Sequence, residues 1–293
     1  LLLNVDATPT DPQTLDVPAS IIVDLEVRDA DGEGLIPARV TFIRQGDTPS
    51  PKAPADTDPR LGSWGGTISA VGYATGGTAQ VALPPGTYQV TASRGFSYEL
   101  DQRVETITSP LDGPLTFSLQ RAVDTTGWLS ADFHIHAWWS PDSNTPWSIR
   151  AKQAATENVD LPILTEHVYI GSLTPEIDAQ GVHEHVIGVT AQEVTSFTHG
   201  HFNAFPLVAQ DDKPNRGGVF PYDKKPVELF EAIRDQHEGD EIIQVNHPRG
   251  QPISGYFSHV GLDAPADTVA APYAWSTNWD AIEVFNGDFQ VRN

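Results

Sequence analysis

A chain of 293 residues is long enough for two ordinary domains and for a core that needs no disulfide staple. It has no cysteine, which excludes thiolate metal sites, cysteine nucleophiles and redox pairs. A formal charge of −22 argues against nucleic acid and anionic membrane surfaces, and no run approaches the roughly 18 apolar residues of a membrane span. Methionine is also absent, so the chain reads as a processed or internal piece. Its acidic surface suits an extracellular or periplasmic setting.

In the first part, Ser20–Val27 alternates Ile21, Val23, Leu25 and Val27 with Ile22, Asp24 and Glu26, the period of a half-buried strand. Asp29–Gly34 is a turn cluster. Its Asp29, Asp31, Glu33 and Gly34 match positions of a calcium-binding EF-hand loop, but Val40 stands where the bidentate Glu belongs and no helix flanks it, so an acidic hairpin turn is the better reading. Further strands are expected at Ala38–Ile43, Thr78–Leu83, Gly86–Ser93, Arg103–Thr108 and Pro114–Leu119, with Pro84–Pro85–Gly86 as a sharp turn. Residues 45–77, rich in Pro, Gly, Asp, Ser and Thr, read as a long loop. Residues 1–125 are therefore expected to form an all-β sandwich.

In the second part, strands and helices alternate. Ala131–Ile135, Leu161–Thr165, Val186–Thr190, Glu241–Val245 and Ala281–Phe285 read as strands. Trp147–Asn158 reads as a helix after Pro146, and Pro226 opens another whose Leu229, Phe230 and Ile233 share a face. This order predicts a parallel sheet or βα barrel over residues 126–293.

All ten histidines lie in this second part, from His134 to His259, and none lies in residues 1–125. Metal-capable residues follow each strand in turn: Asp132, His134 and His136; Glu166 and His167; Glu193, then His199 and His201; Asn246 and His247. In βα folds the strand ends converge on one face, and two histidines two apart in extended chain point the same way, so one ion can take both. His183 and His185 copy that spacing but precede a strand, and they read as surface residues. His199 competes with His201 for one ligand position. Trp138 and Trp139 either floor a cleft or pack its rim. Arg249, two residues past His247, is a candidate clamp for an oxyanion or phosphate.

Two resemblances follow from these residues. Residues 29–93, with D-x-D-G, PARVTF and LPPGTYQVTAS, resemble carboxypeptidase-regulatory-like and other Ig-like sandwich modules of exported proteins. Asp132–Ser143 (DFHIHAWWSPDS), Leu164–His167 (LTEH), Glu193 within AQEVTS and Asn246–Pro248 (NHP) resemble the ordered motifs of the PHP (polymerase and histidinol phosphatase) superfamily. GHFNAF at Gly200–Phe205 is most similar to its CehA/McbA-type metallohydrolase branch.

The PHP resemblance implies a distorted (β/α)7 barrel carrying up to three divalent ions, of zinc, manganese or iron. It implies that His134, His136 and Glu193 hold a first ion, with Glu193 bridging to a second held by His201 and His247, while Asp142 and His167 serve a third. Glu166, where an aspartate is commoner, is implied to orient a ligand histidine. The late Asp-x-His motif of the family is missing before Asn293, so the barrel is expected to be cut short and the natural polypeptide to continue. The implied reaction is phosphoester hydrolysis by metal-bound hydroxide, on a small-molecule substrate. The same site suits a carboxyl- or carbamate-ester, and a non-catalytic surface or assembly module with a structural metal site, including a homo-oligomer, is the reading from another class.

Overall fold

The computed structural model describes residues 19–32, 34–48, 68–236, 240–250, 254–284 and 286. The first unit holds seven strands: β1 (Ile21–Asp29), β2 (Ala38–Gln45), β3 (Ile68–Ala74), β4 (Thr78–Leu83), β5 (Gly86–Ser93), β6 (Asp101–Ile107) and β7 (Leu115–Leu119). They form two sheets, ordered β4-β1-β7 and β3-β2-β5-β6. The alternation read in β1 turns Val23, Leu25 and Val27 inward, where they meet Val40, Phe42 and Val90 of the other sheet in one apolar core. Strand β3 lies inside the stretch expected to be a loop. It pairs antiparallel with β2, and its Gly72 is a packing requirement, since a Cβ there would stand 2.5 Å from Leu25 Cδ1. Of the acidic turn, Asp29 Oδ1 accepts the Asp31 amide at 3.0 Å, while Glu33 lies outside the described residues.

The second unit does not form the expected (β/α)7 barrel, complete or cut short. Strands β8 (Ala131–Ile135), β9 (Leu161–Leu164) and β10 (Val189–Thr190) make a small parallel sheet, linked by α1 (Trp147–Thr156) and α2 (Thr174–Ala179). Strands β11 (Gln192–Thr195), β12 (His201–Phe205), β13 (Ile242–Val245) and β16 (Ala281–Ile282) make a separate mixed sheet. Helix α3 (Pro226–Arg234) precedes β13, and α4 (Tyr256–Val260) leads to the β14 (Leu262–Asp263) and β15 (Thr268–Val269) hairpin. A barrel of that kind needs every strand parallel and a crossover helix between neighbours. Residues 196–200, between β11 and β12, are too short for a crossover, so β12 returns antiparallel and β13 pairs antiparallel with it. None of the four α-helices among the described residues exceeds ten residues, and none is long and apolar enough to cross a membrane.

The mixed sheet buries Val194, Phe202, Ala204, Ile243 and Val245 against Leu229, Phe230 and Ile233 of α3. Phe202 anchors this core with edge-to-face contacts to Phe230 and Tyr256, ring centroids 4.9 Å and 5.3 Å away. The two units join at the end of α1. Buried Arg94 donates to the Pro37 and Ala155 carbonyls and to Asn158 Oδ1, the last at 2.8 Å. Its charge sits at the negative end of the helix dipole. Gly95 (φ +63) allows this approach, because a Cβ would fall 2.1 Å from the Glu157 carbonyl oxygen.

Candidate metal centre

The β11–β12 hairpin supplies the middle of the site. Its register sets Glu193 opposite Asn203 and Thr195 opposite His201, so these four share one face while Val194, Phe202 and Ala204 face the core. The Glu193 amide donates to the Glu166 carbonyl at 3.0 Å, and the Val168 amide donates to the Glu193 carbonyl at 2.8 Å. These bonds clamp β11 to the turn carrying His167. His134 is the penultimate residue of β8, His136 follows the strand, and His247 follows β13. Val168 (φ +54) and His247 (φ +28) both occupy left-handed backbone, which is strained for a β-branched or bulky residue. Each is held there by a carboxyl-bearing residue: Val168 by the Glu193 carbonyl, and His247 by Glu283 Oε2, which accepts its amide at 2.6 Å.

Glu193 is fully buried and is surrounded by imidazoles. Its Oε1 lies 3.1 Å from His201 Nδ1, 3.6 Å from His134 Nε2 and 3.8 Å from His247 Nε2. Its Oε2 lies 2.6 Å from His167 Nδ1 and 3.7 Å from His136 Nε2. Two sets of donor atoms are close enough to share an ion: His134, Glu193 and His247, and His136, Asp142 and His167. His134 thus groups with His247, and His136 with Asp142 and His167, a different partition from the one the PHP resemblance implies. The His134 and His136 Nε2 atoms remain only 3.0 Å apart across the boundary, and the rings of His136 and His167 stack at 4.3 Å.

The donor set fits divalent ions. Nitrogen and carboxylate oxygen suit zinc, manganese or iron. His201 Nδ1 and His247 Nδ1 are buried without a hydrogen-bond partner; His201 Nδ1 is near Glu193 but out of line with it. A buried imidazole nitrogen with nothing to bond is costly, and a metal ligand is one resolution of that cost.

Neighbouring groups orient these candidate ligands. Glu283 Oε1 accepts from His134 Nδ1 at 2.9 Å, which leaves Nε2 as the lone-pair nitrogen facing Glu193. Asn286 Nδ2 donates to the same oxygen at 2.9 Å. Asn246 Nδ2 donates to Glu193 Oε1 at 3.0 Å and to Asn203 Oδ1 at 2.7 Å. Glu166, fully buried, accepts from the amides of Ala137 and Trp139, from Trp147 Nε1 and from the Ser140 hydroxyl. Ser140 Oγ in turn lies 3.1 Å from His136 Nδ1 and accepts the His167 amide. Glu166 therefore reaches two ligand histidines through Ser140 and touches neither ring.

Burial and charge set the protonation of the cluster. Burial, with His134 and His167 nearby, pushes His136 down to about 4 against the pull of Glu193. Burial also works against charge on His167, but its hydrogen bonds to Asp142 and Glu193 overcome this and lift it to about 10. Burial opposes ionisation of Glu193, yet the surrounding imidazoles of His167, His201, His247 and His134 hold its carboxyl well below the usual range. A metal ion bound here would have to displace a proton from His167, whereas His136 would offer a neutral donor.

The remaining candidates fall elsewhere. Arg249 turns both terminal nitrogens to the Leu262 carbonyl, at 3.3 Å and 3.4 Å. In this structure it braces the segment after α4. His199 meets His259, not Glu193. His183 is exposed beside Glu184, and His185 lies in the same turn between α2 and β10. Trp138 and Trp139 are exposed, and Trp139 stacks on Tyr169 at 4.7 Å, forming a flat aromatic shelf at the end of the His136 loop. Glu283 went unread in the sequence. Its only signal there is a carboxylate in the strand-like run AIEVFNG, which carries no histidine. No protein-family model matches this chain, and no curated protein matches it either.

Proposed function

We propose that this chain is a metal-dependent hydrolase, acting on a small phosphoester, whose centre is built around Glu193. One observation carries the reading. A single buried carboxylate has both oxygens surrounded by imidazole nitrogens, with His134, His201 and His247 at Oε1 and His136 and His167 at Oε2. Such a carboxylate would sit between two neighbouring ions if both were bound. His134, Glu193 and His247 would hold one ion, and His136, His167 and Asp142 another. The chemistry such ions supply when bound is activation of water and neutralisation of charge on the phosphoryl oxygens. The order of motifs shared with the PHP superfamily supports the same reaction class, and the proposal needs no barrel.

The chain's own residues do the positioning. Glu283 fixes the tautomer and angle of His134, Ser140 anchors His136, and Asn246 holds Glu193 in plane. The exposed Trp139–Tyr169 stack offers a flat apolar surface next to the ligand loop for the organic part of a substrate. The test is a panel of 4-nitrophenyl phosphate, bis(4-nitrophenyl) phosphate and 4-nitrophenyl acetate, assayed with added zinc or manganese and with chelator. Chelator-sensitive phosphoester turnover that disappears in Glu193→Gln supports the proposal. Turnover confined to the acetate moves the substrate class to carboxyl esters. Metal binding unaffected by Glu193→Gln overturns the reading.

A further inference from the structure

Outside the Glu193 centre, a second pair of histidines meets across a long stretch of chain. His199 Nδ1 and His259 Nε2 lie 3.0 Å apart although the residues are 60 apart in sequence. The rings meet edge to face, centroids 4.8 Å apart at 78°. This N···N separation equals that between His134 Nε2 and His136 Nε2 within the principal centre. Both rings are only partly buried, so water has access to complete a coordination shell. Neither histidine has a carboxylate partner among the described residues.

The backbone around the pair is built to bring it together. Gly200 (φ +94) separates His199 from His201, and a Cβ there would stand 2.7 Å from the Tyr256 amide nitrogen. Glycine thus lets the β11–β12 loop lie directly against the start of α4. The His201 amide donates to the Ser254 carbonyl at 3.2 Å, and the His199 amide donates to Ser196 Oγ at 3.0 Å. His259 is on α4, one turn from this contact, with its amide bonded to the Gly255 carbonyl.

We propose that His199 and His259 form a separate, accessory binding site for an imidazole-preferring divalent transition ion such as zinc, nickel or copper. Two neutral imidazole nitrogens supply the protein ligands and water fills the remaining positions. Soft or borderline ions favour such nitrogens, whereas magnesium and calcium require oxygen and are not taken. Because the pair ties the loop preceding His201 to α4, an ion there cross-links two segments that flank the Glu193 centre.

The experiment is nickel and zinc titration calorimetry on the whole chain, comparing wild type with His199→Asn and His259→Gln. The wild type is expected to bind one equivalent more than either variant, with both variants losing the same equivalent. His134→Gln is expected to retain it, which separates this site from the Glu193 centre and from the hydrolase reading. Copper added to His134→Gln is expected to show a two-imidazole electron paramagnetic resonance signal that is lost when His259→Gln is combined with it. Equal stoichiometry in wild type and both variants overturns the site and leaves the pair as a histidine–histidine hydrogen bond. If one variant melts early, the other carries the comparison: a copper spectrum of His134→Gln that is unchanged when that other substitution is added overturns the proposal.

Discussion

Glu283 shows how much a single carboxylate can control without being a ligand. It receives the His134 ring nitrogen and the His247 amide, so one side chain sets the tautomer of one candidate ligand and the strained backbone of another. Glu283→Gln is nearly isosteric but loses the charge-assisted bond, and metal affinity should fall about 10–100-fold, the cost typical of removing such a brace. Isothermal titration with zinc measures it, and an unchanged affinity would show that His134 needs no brace. A second prediction concerns protons in metal-stripped protein. His136, at about 4, binds fewer protons than the unfolded chain between pH 4 and 6.5, so its contribution to stability rises with pH across that window. His167, at about 10, binds more between 6.5 and 10; its stabilisation is complete below 6.5 and is lost as pH rises through 10. Together they give a maximum near pH 6.5. Urea unfolding of wild type against His167→Asn across pH 6–10 should show a steeper falling limb in the wild type, His134 contributing to both curves. Parallel curves would mean that His167 is not held protonated.

At the scale of elements, Gly200 is the position where substitution should cost most for its size. Gly200→Ala forces a side chain into left-handed backbone and against the Tyr256 amide, so destabilisation of about 1–3 kcal/mol is expected from urea midpoints. A change below a few tenths would mean that the loop can move aside. The same hairpin explains what sequence could and could not disclose. Strand β1 was legible because Val23, Leu25 and Val27 alternate with polar neighbours, and the convergence of His134 and His136 was legible because histidines two apart in extended chain share a side. Strand β3 was hidden because Gly72, the residue that most resembles a loop signal, is demanded by Leu25 of the facing sheet. Strand β12 was hidden for another reason: its HFNAF run reads as a ligand motif, and the turn before it has no hairpin dipeptide to announce an antiparallel return. A barrel was expected because helix-length segments lie between strands, but periodicity carries no information about strand direction. Glu283 was invisible because its partners are chosen by tertiary contact alone.

Across the whole molecule, the two units meet through Arg94, which satisfies carbonyls on both sides. Arg94→Met should leave the Pro37 and Ala155 carbonyls without that donor and lower stability by about 1–3 kcal/mol, with metal content unchanged. Calorimetric melting together with elemental analysis checks both halves; loss of metal would show that the sheet unit shapes the centre. The separation of His134 from Glu283, 149 residues along the chain, has a consequence for time as well as for space. A polypeptide emerging from its amino terminus presents His134 long before its brace exists, and closing so wide a loop is among the slower entropic steps available to the chain. The centre therefore matures late. A zinc-sensitive dye present during refolding should lose its signal only after tryptophan fluorescence has reached its final value, so that capture of the ion marks the end of folding and does not start it.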